Sequence, residues 1–157
     1  LFDPRDGAIL YTWTPVPDNV VKGWIPSKQH IHLVELFAGP MALDTWPERL
    51  SDCHLIHFVD NSAALGALVK GYSNVDDCIK LCSDYWLRAA ANRMYVYVDR
   101  VESKSNVSDE PSRLVFDQLQ WSKRCPFKKY HVDIWIRGTR STGKYRKVSE
   151  SIGKYRK

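Results

Sequence analysis

The run from His54 to Gly71 constrains this chain more than any other stretch. Leu55, Ile56, Phe58 and Val59 form a short block of bulky, partly β-branched residues, and Ala63 to Lys70 switches to helix formers. The block predicts a buried strand and the continuation predicts a helix, with Asp60 at their junction. Asn61 or Ser62 is placed to cap that helix. An aspartate at the end of a strand lies on the rim of a sheet, where α/β proteins gather their chemistry. It is equally suited to an ordinary cap or turn, and on this stretch alone both readings stand.

At 157 residues the chain is long enough for one domain with a real core. With 44% apolar and 26% charged residues its composition is that of a soluble globular protein. No apolar run approaches the roughly 20 residues that cross a bilayer, which predicts no membrane span, and the N-terminus lacks a signal-peptide pattern. The chain opens at Leu1 and not Met, which predicts a fragment or a processed product. Cys53, Cys78, Cys82 and Cys125 lack zinc-site spacing, so reduced thiols in an intracellular compartment are expected. The net charge of +5 is uneven: residues 121–157 hold twelve Lys or Arg against Asp133 and Glu150. A basic extension over 121–157 on a body of 1–120 is the expected organisation. Such a tail suits phosphate backbones or acidic protein surfaces, and equally a solvated segment that binds nothing.

Along the chain, Gly7 to Thr14 reads as a strand, Pro15 to Asn19 as a turn and Val20 to Ile25 as a second strand, giving a hairpin. From His30 to Trp46 the apolar residues Leu33, Val34, Phe37, Met41 and Ala42 recur at helical spacing. Gly39-Pro40 predicts a kink or break in that helix, because proline lacks the N–H that would reach the carbonyl of Leu36. Val75 to Asn92 reads as a helix with Ile79, Cys82, Trp86 and Ala90 on its apolar side. Asp76 and Asp77 in its first turn are accounted for by the helix dipole. Met94 to Val101 is the clearest strand pattern, Glu102 to Arg113 is polar and turn-rich, and Leu114 to Gln120 suggests a short closing helix. His131 to Arg137 suggests one more strand. Ser141-Thr-Gly-Lys-Tyr-Arg-Lys147 is echoed by Ser151-Ile-Gly-Lys-Tyr-Arg-Lys157, a short duplication and not a solenoid repeat. A hairpin followed by alternating helices and strands predicts an α/β fold, a mixed sheet flanked by helices.

Three carboxylates occupy comparable places in that scheme. Glu35 lies in the first turns of the first long helix, Asp60 at the end of the central strand, and Asp109 after the last good strand. If the two strands are neighbours, all three converge at one edge of the sheet. Like charges that close raise one another's pKa and call for a cation, for which Mg2+ (or Mn2+) is the usual solution.

Glu35-Leu36 in an apolar helix, Phe58-Val-Asp-Asn-Ser-Ala-Ala-Leu65 with Val69-Lys-Gly-Tyr-Ser73, and Arg100-Val-Glu-Ser-Lys-Ser-Asn-Val-Ser-Asp-Glu-Pro-Ser-Arg113 together resemble the ribonuclease H-like domain of retroelement polyproteins. The resemblance covers about residues 27–113. It implies a ribonuclease H-like mixed sheet and two-metal hydrolysis of the RNA strand of an RNA/DNA hybrid. Glu35, Asp60 and Asp109 would be metal ligands and catalytic residues; Lys104, Asn106 and Asn61 would lie near the bound nucleic acid. The fourth carboxylate of the family sits on a first strand. Asp3 is the candidate here, with Asp6 behind it, but Asp3-Pro4-Arg5-Asp6-Gly7 reads more like the loop after that strand. The expectation is that the first strand and its aspartate are missing. Three functions follow: a ribonuclease H-type nuclease, an inactive ribonuclease H-like module recruited as a structural or interaction subunit of a larger assembly, and a nucleic-acid-binding domain whose basic tail supplies salt-dependent affinity.

Overall fold

The computed structural model describes residues 1–26, 30–120 and 122–126. The first elements are the strands β1 (Phe2–Asp3) and β2 (Ala8–Tyr11), the short helix α1 (Asp18–Val21) and the long helix α2 (Ile31–Thr45). Then come β3 (His54–Val59), the helices α3 (Ser62–Lys70) and α4 (Asp76–Ala91), and β4 (Tyr95–Arg100). The short helix α5 (Asp109–Ser112) and the strand β5 (Lys123–Arg124) close the described chain. The architecture is mixed α/β. β1 runs antiparallel to β2, which pairs in parallel with β5, while β3 and β4 form a separate parallel pair with His54 opposite Tyr95 and Val59 opposite Arg100.

α2 is the hub. Its buried residues Leu33, Leu36, Phe37 and Leu43 meet Cys82, Tyr85 and Ala89 of α4 and Ala64 and Leu68 of α3 in one core. Gly39 makes this packing possible, since a Cβ there would stand 2.8 Å from Cδ2 of Tyr85. Pro40 lies inside α2 and is buried, and the helix runs through it without the predicted break. Proline removes one hydrogen bond, and the tertiary contacts of the surrounding turn outweigh that loss.

Three further expectations are corrected. The segment predicted as a strand over Val20 to Ile25 instead begins with α1, whose first turn carries Asp18 after Pro17; the proline φ and the acid favour a helix start over the β preference of two valines. The hairpin partner of β2 is therefore β1, upstream. The buried side of α4 is Cys78, Leu81, Cys82, Tyr85 and Ala89, so Ile79 and Trp86 are only half-buried and Ala90 is exposed. β3 is covered on one face only: Leu55, His57 and Val59 turn towards the helices, whereas Ile56 and Phe58 are 60% and 56% exposed.

Lys123 and Arg124 pair in parallel with Leu10 and Tyr11. The strand suggested at 131–137 and the duplicated tail lie outside the described residues. The thiols of Cys53, Cys78, Cys82 and Cys125 are free, and burial pushes Cys82 up to about 11. Among the described residues no helix is long and apolar enough to cross a membrane.

Candidate functional site

The parallel pairing of β3 with β4 brings both strands to the same edge at their C-terminal ends. Asp60 follows β3 there, and Asn61 opens α3, its Oδ1 accepting hydrogen bonds from the N–H groups of Ala63 and Ala64 at 3.0 Å. Asp60 is thus freed from capping by its neighbour. Its Oδ1 is buried and has no hydrogen-bond partner among the described residues. A bare carboxylate oxygen held out of water is costly unless something else neutralises it.

Glu35, in the second turn of α2, is half-buried and lies in the electrostatic field of both Asp60 and Asp109. Burial pushes its carboxyl above the usual range, and the charges of Asp60 and then Asp109 push it further. The three acids expected to converge therefore sense one another. Asp109 begins α5, and the Arg113 guanidinium lies 3.8 Å from its Oδ2, one turn on.

Asn106 and Lys104 lie in the connection before α5. The Asn106 side chain is turned inward: its Oδ1 accepts from the N–H of Ser108 at 3.1 Å and the Ser108 hydroxyl at 2.5 Å, and its Nδ2 points at Asp109 Oδ1 3.5 Å away. It holds the loop that carries Asp109. Lys104 is exposed in a single 3-10 turn. Asn61, expected near substrate, has its carbonyl oxygen occupied as a helix cap.

Asp3 does not join the cluster. Its Oδ1 accepts from the N–H and Nε of Arg5 at 3.1 and 2.8 Å, and its Oδ2 from Arg5 Nη2 and Arg49 Nη1, both at 2.6 Å. Only 3% exposed, it is held well below the usual carboxylate range, first by Arg5 and then by Arg49. Such a carboxylate has no lone pair left for an ion. Arg49 spans to Asp6 as well, at 2.9 Å. This clamp ties the N-terminal hairpin to the segment after α2.

Glu35, Asp60 and Asp109 offer the oxygen donors that a hard cation takes. Among the described residues, however, no three Asp, Glu, His or Cys side chains are spaced closely enough to enclose an ion.

Sequence reasoning missed two buried polar groups. Asp77 is 2% exposed; its Oδ2 accepts from the N–H of Ile25 at 2.6 Å and its Oδ1 from Lys80 Nζ at 2.9 Å, pinning the loop after α1 to the start of α4. The first-turn position explained this acid well enough that nothing flagged its burial. His57 Nδ1 lies 3.0 Å from the hydroxyl of fully buried Tyr85, and burial drives His57 down to about 4, so the ring is neutral at pH 7. No family model, curated protein or solved structure matches the chain.

Proposed function

We propose that this protein is a ribonuclease H-type nuclease that hydrolyses the RNA strand of RNA/DNA hybrids with Mg2+ or Mn2+. The observation that carries the reading is the buried Oδ1 of Asp60, without a hydrogen-bond partner among the described residues, at the end of the β3–β4 pair, where Glu35 lies in the field of Asp60 and Asp109. A buried carboxylate oxygen with no hydrogen-bond partner among the described residues, beside a second acid whose pKa it raises, is a poor way to stabilise a fold and a good way to attract a divalent cation. Asp60 and Asp109 would hold the cations, and Glu35 would complete the set. Bound there, the metal would activate the attacking water and stabilise the leaving oxygen. Asn106 would keep Asp109 oriented, and exposed Lys104 would meet the phosphates of the bound strand.

The test is cleavage of a labelled RNA/DNA hybrid in the presence of Mg2+, with Asp60→Asn beside the wild-type chain. Equal rates for the two would sink the reading.

A second reading rests on its own observation. Asp3 is consumed by Arg5 and Arg49, leaving three acids where the resemblance implies four, and β3 and β4 expose Ile56, Phe58, Tyr95 and Tyr97 on one side. A ribonuclease H-like module without activity, serving as a structural or interaction subunit, would have these features. It predicts no metal-dependent cleavage and retention of the wild-type chain by a partner assembly, lost when Phe58 and Tyr97 are both changed to Lys.

A further inference from the structure

Between the two sheets lies a cavity of about 580 Å³. One wall is β3, the other is the start of β1 at Phe2, and the floor is α2 with Gly39, Ala42 and Trp46. The hydrogen-bonding pattern shows what both walls offer. The N–H of Tyr95 donates to the carbonyl of Cys53 and that of Val101 to the carbonyl of Val59, so the odd-numbered residues of β3 are turned to β4. In a parallel ladder the N–H and C=O of His54, Ile56 and Phe58 are then turned the other way, into the cavity. On the opposite wall Leu1 and Leu10 exchange both of their backbone hydrogen bonds. Phe2 therefore also presents its N–H and C=O to the cavity.

The open edge of β3 and the outward N–H and C=O of Phe2, lining one cavity over an apolar floor, are matched by one kind of occupant. A polypeptide strand carries alternating N–H and C=O groups on both edges and sits about 4.8 Å from each neighbour. A small molecule satisfies one wall at best. The strand would be continuous with two pairings that already exist, β1 with β2 and β3 with β4, and would merge them into one sheet.

We propose that this groove is a docking site for an extended strand donated by a partner polypeptide. His54 to Phe58 set its length at about five residues, roughly 13 Å. Gly39, Ala42 and Trp46 make the floor apolar, so the alternate side chains that face it are apolar, and the intervening positions face outward. The mode is strand addition, in which main-chain hydrogen bonds give affinity and alternate side chains give selectivity. It needs neither metal nor cleavage and is independent of the nuclease reading.

The probe is a fluorescent, N-acetylated heptapeptide amide, Lys-Val-Thr-Val-Thr-Val-Lys, added to the full chain. Anisotropy follows binding and hydrogen exchange locates it. The expected result is saturable binding with slowed exchange at the amides of Phe2, His54, Ile56 and Phe58. A probe N-methylated at alternate residues should bind at least about tenfold more weakly, as should the chain carrying Ile56→Pro, which removes one cavity-facing N–H and leaves the ladder to β4 intact. Should that variant fail to fold, Ala42→Phe fills the floor instead and should abolish binding. Absence of saturable binding overturns the proposal, as does equal affinity for the methylated probe. It is also overturned if the same amides are already protected without peptide, whether by a second copy of the chain or by its own residues 131–137.

Discussion

Asp3 and Asp60 are both aspartates at the end of a strand, with at least one oxygen shielded from water, and their surroundings are opposite. Four donors from Arg5 and Arg49 converge on Asp3, which is held ionised and below the usual range. Asp60 has a buried oxygen that receives no hydrogen bond from the described residues, and its field helps push the neighbouring Glu35 upward. The first arrangement spends every lone pair on holding the hairpin to the segment after α2. The second leaves lone pairs and negative charge concentrated at the sheet edge, which serves cation binding and works against stability. Position on a strand therefore does not separate a structural acid from a chemical one; the groups around it do.

The contrast is most sharply tested by Asp60→Asn. Cleavage of the hybrid should fall by about 10²–10³ or more, in the range of losing one group that stabilises developing charge, while thermal unfolding stays unchanged or moves upward. A lost fold together with lost cleavage would erase the distinction drawn between the two aspartates. Asp3→Asn should show the reverse: a marked fall in Tm at pH 7 with cleavage per folded molecule retained. Because Asp3 is depressed in the folded chain, its stabilisation is present above the unfolded value and is lost only as pH falls through the lower folded value. The difference in Tm between the two chains should thus persist at pH 5 and shrink in stronger acid. A difference that disappears already near pH 5 would mean that the arginine clamp does not form.

Asn61→Ala should cost about 1 kcal/mol in denaturant unfolding, the usual loss of an N-cap, with KM for hybrid unchanged. A raised KM at unaltered stability would return Asn61 to the substrate. The smallest effect is expected at Glu35. Its folded value is raised, so the wild-type chain loses stability as pH rises from the ordinary carboxylate value through the raised one. Glu35→Gln should melt slightly higher than wild type at pH 7 and coincide with it below pH 4. A lower Tm at pH 7 would show that Glu35 has a cationic partner and not two acids beside it.

Much of the local structure was legible. β3, α3, α4 and β4 lie within a residue or two of their predicted bounds, because each is a long run with one clear period ended by a cap or turn, such as Asn61 before α3 and Gly71 after it in the left-handed conformation that suits glycine. α1 was read as a strand because two β-branched valines in a row outweighed a proline and an acid at a helix start. The apolar side of α4 was misplaced because Asp77 is buried and Ala90 is not, a choice made by Ile25, Lys80 and α2 and not by hydrophobicity. The order of Glu35, Asp60 and Asp109 on the elements predicted one shared edge, and Glu35 does lie in the field of the other two, yet no three such side chains among the described residues are close enough to enclose an ion. The fate of Asp3 was not, since nothing local brings Arg49, 46 residues away, to its carboxylate.

By itself, then, the chain determined which segments are helices and strands and where the acidic residues stand along them, since period, capping and propensity act over a few neighbours. The tertiary structure decided that Asp3 is clamped by arginines while Glu35 lies in the field of two other acids, which side of β3 meets water, and that two strand edges flank an open groove. These depend on contacts between residues tens of positions apart, and burial and Coulomb interactions are fixed only when those contacts form.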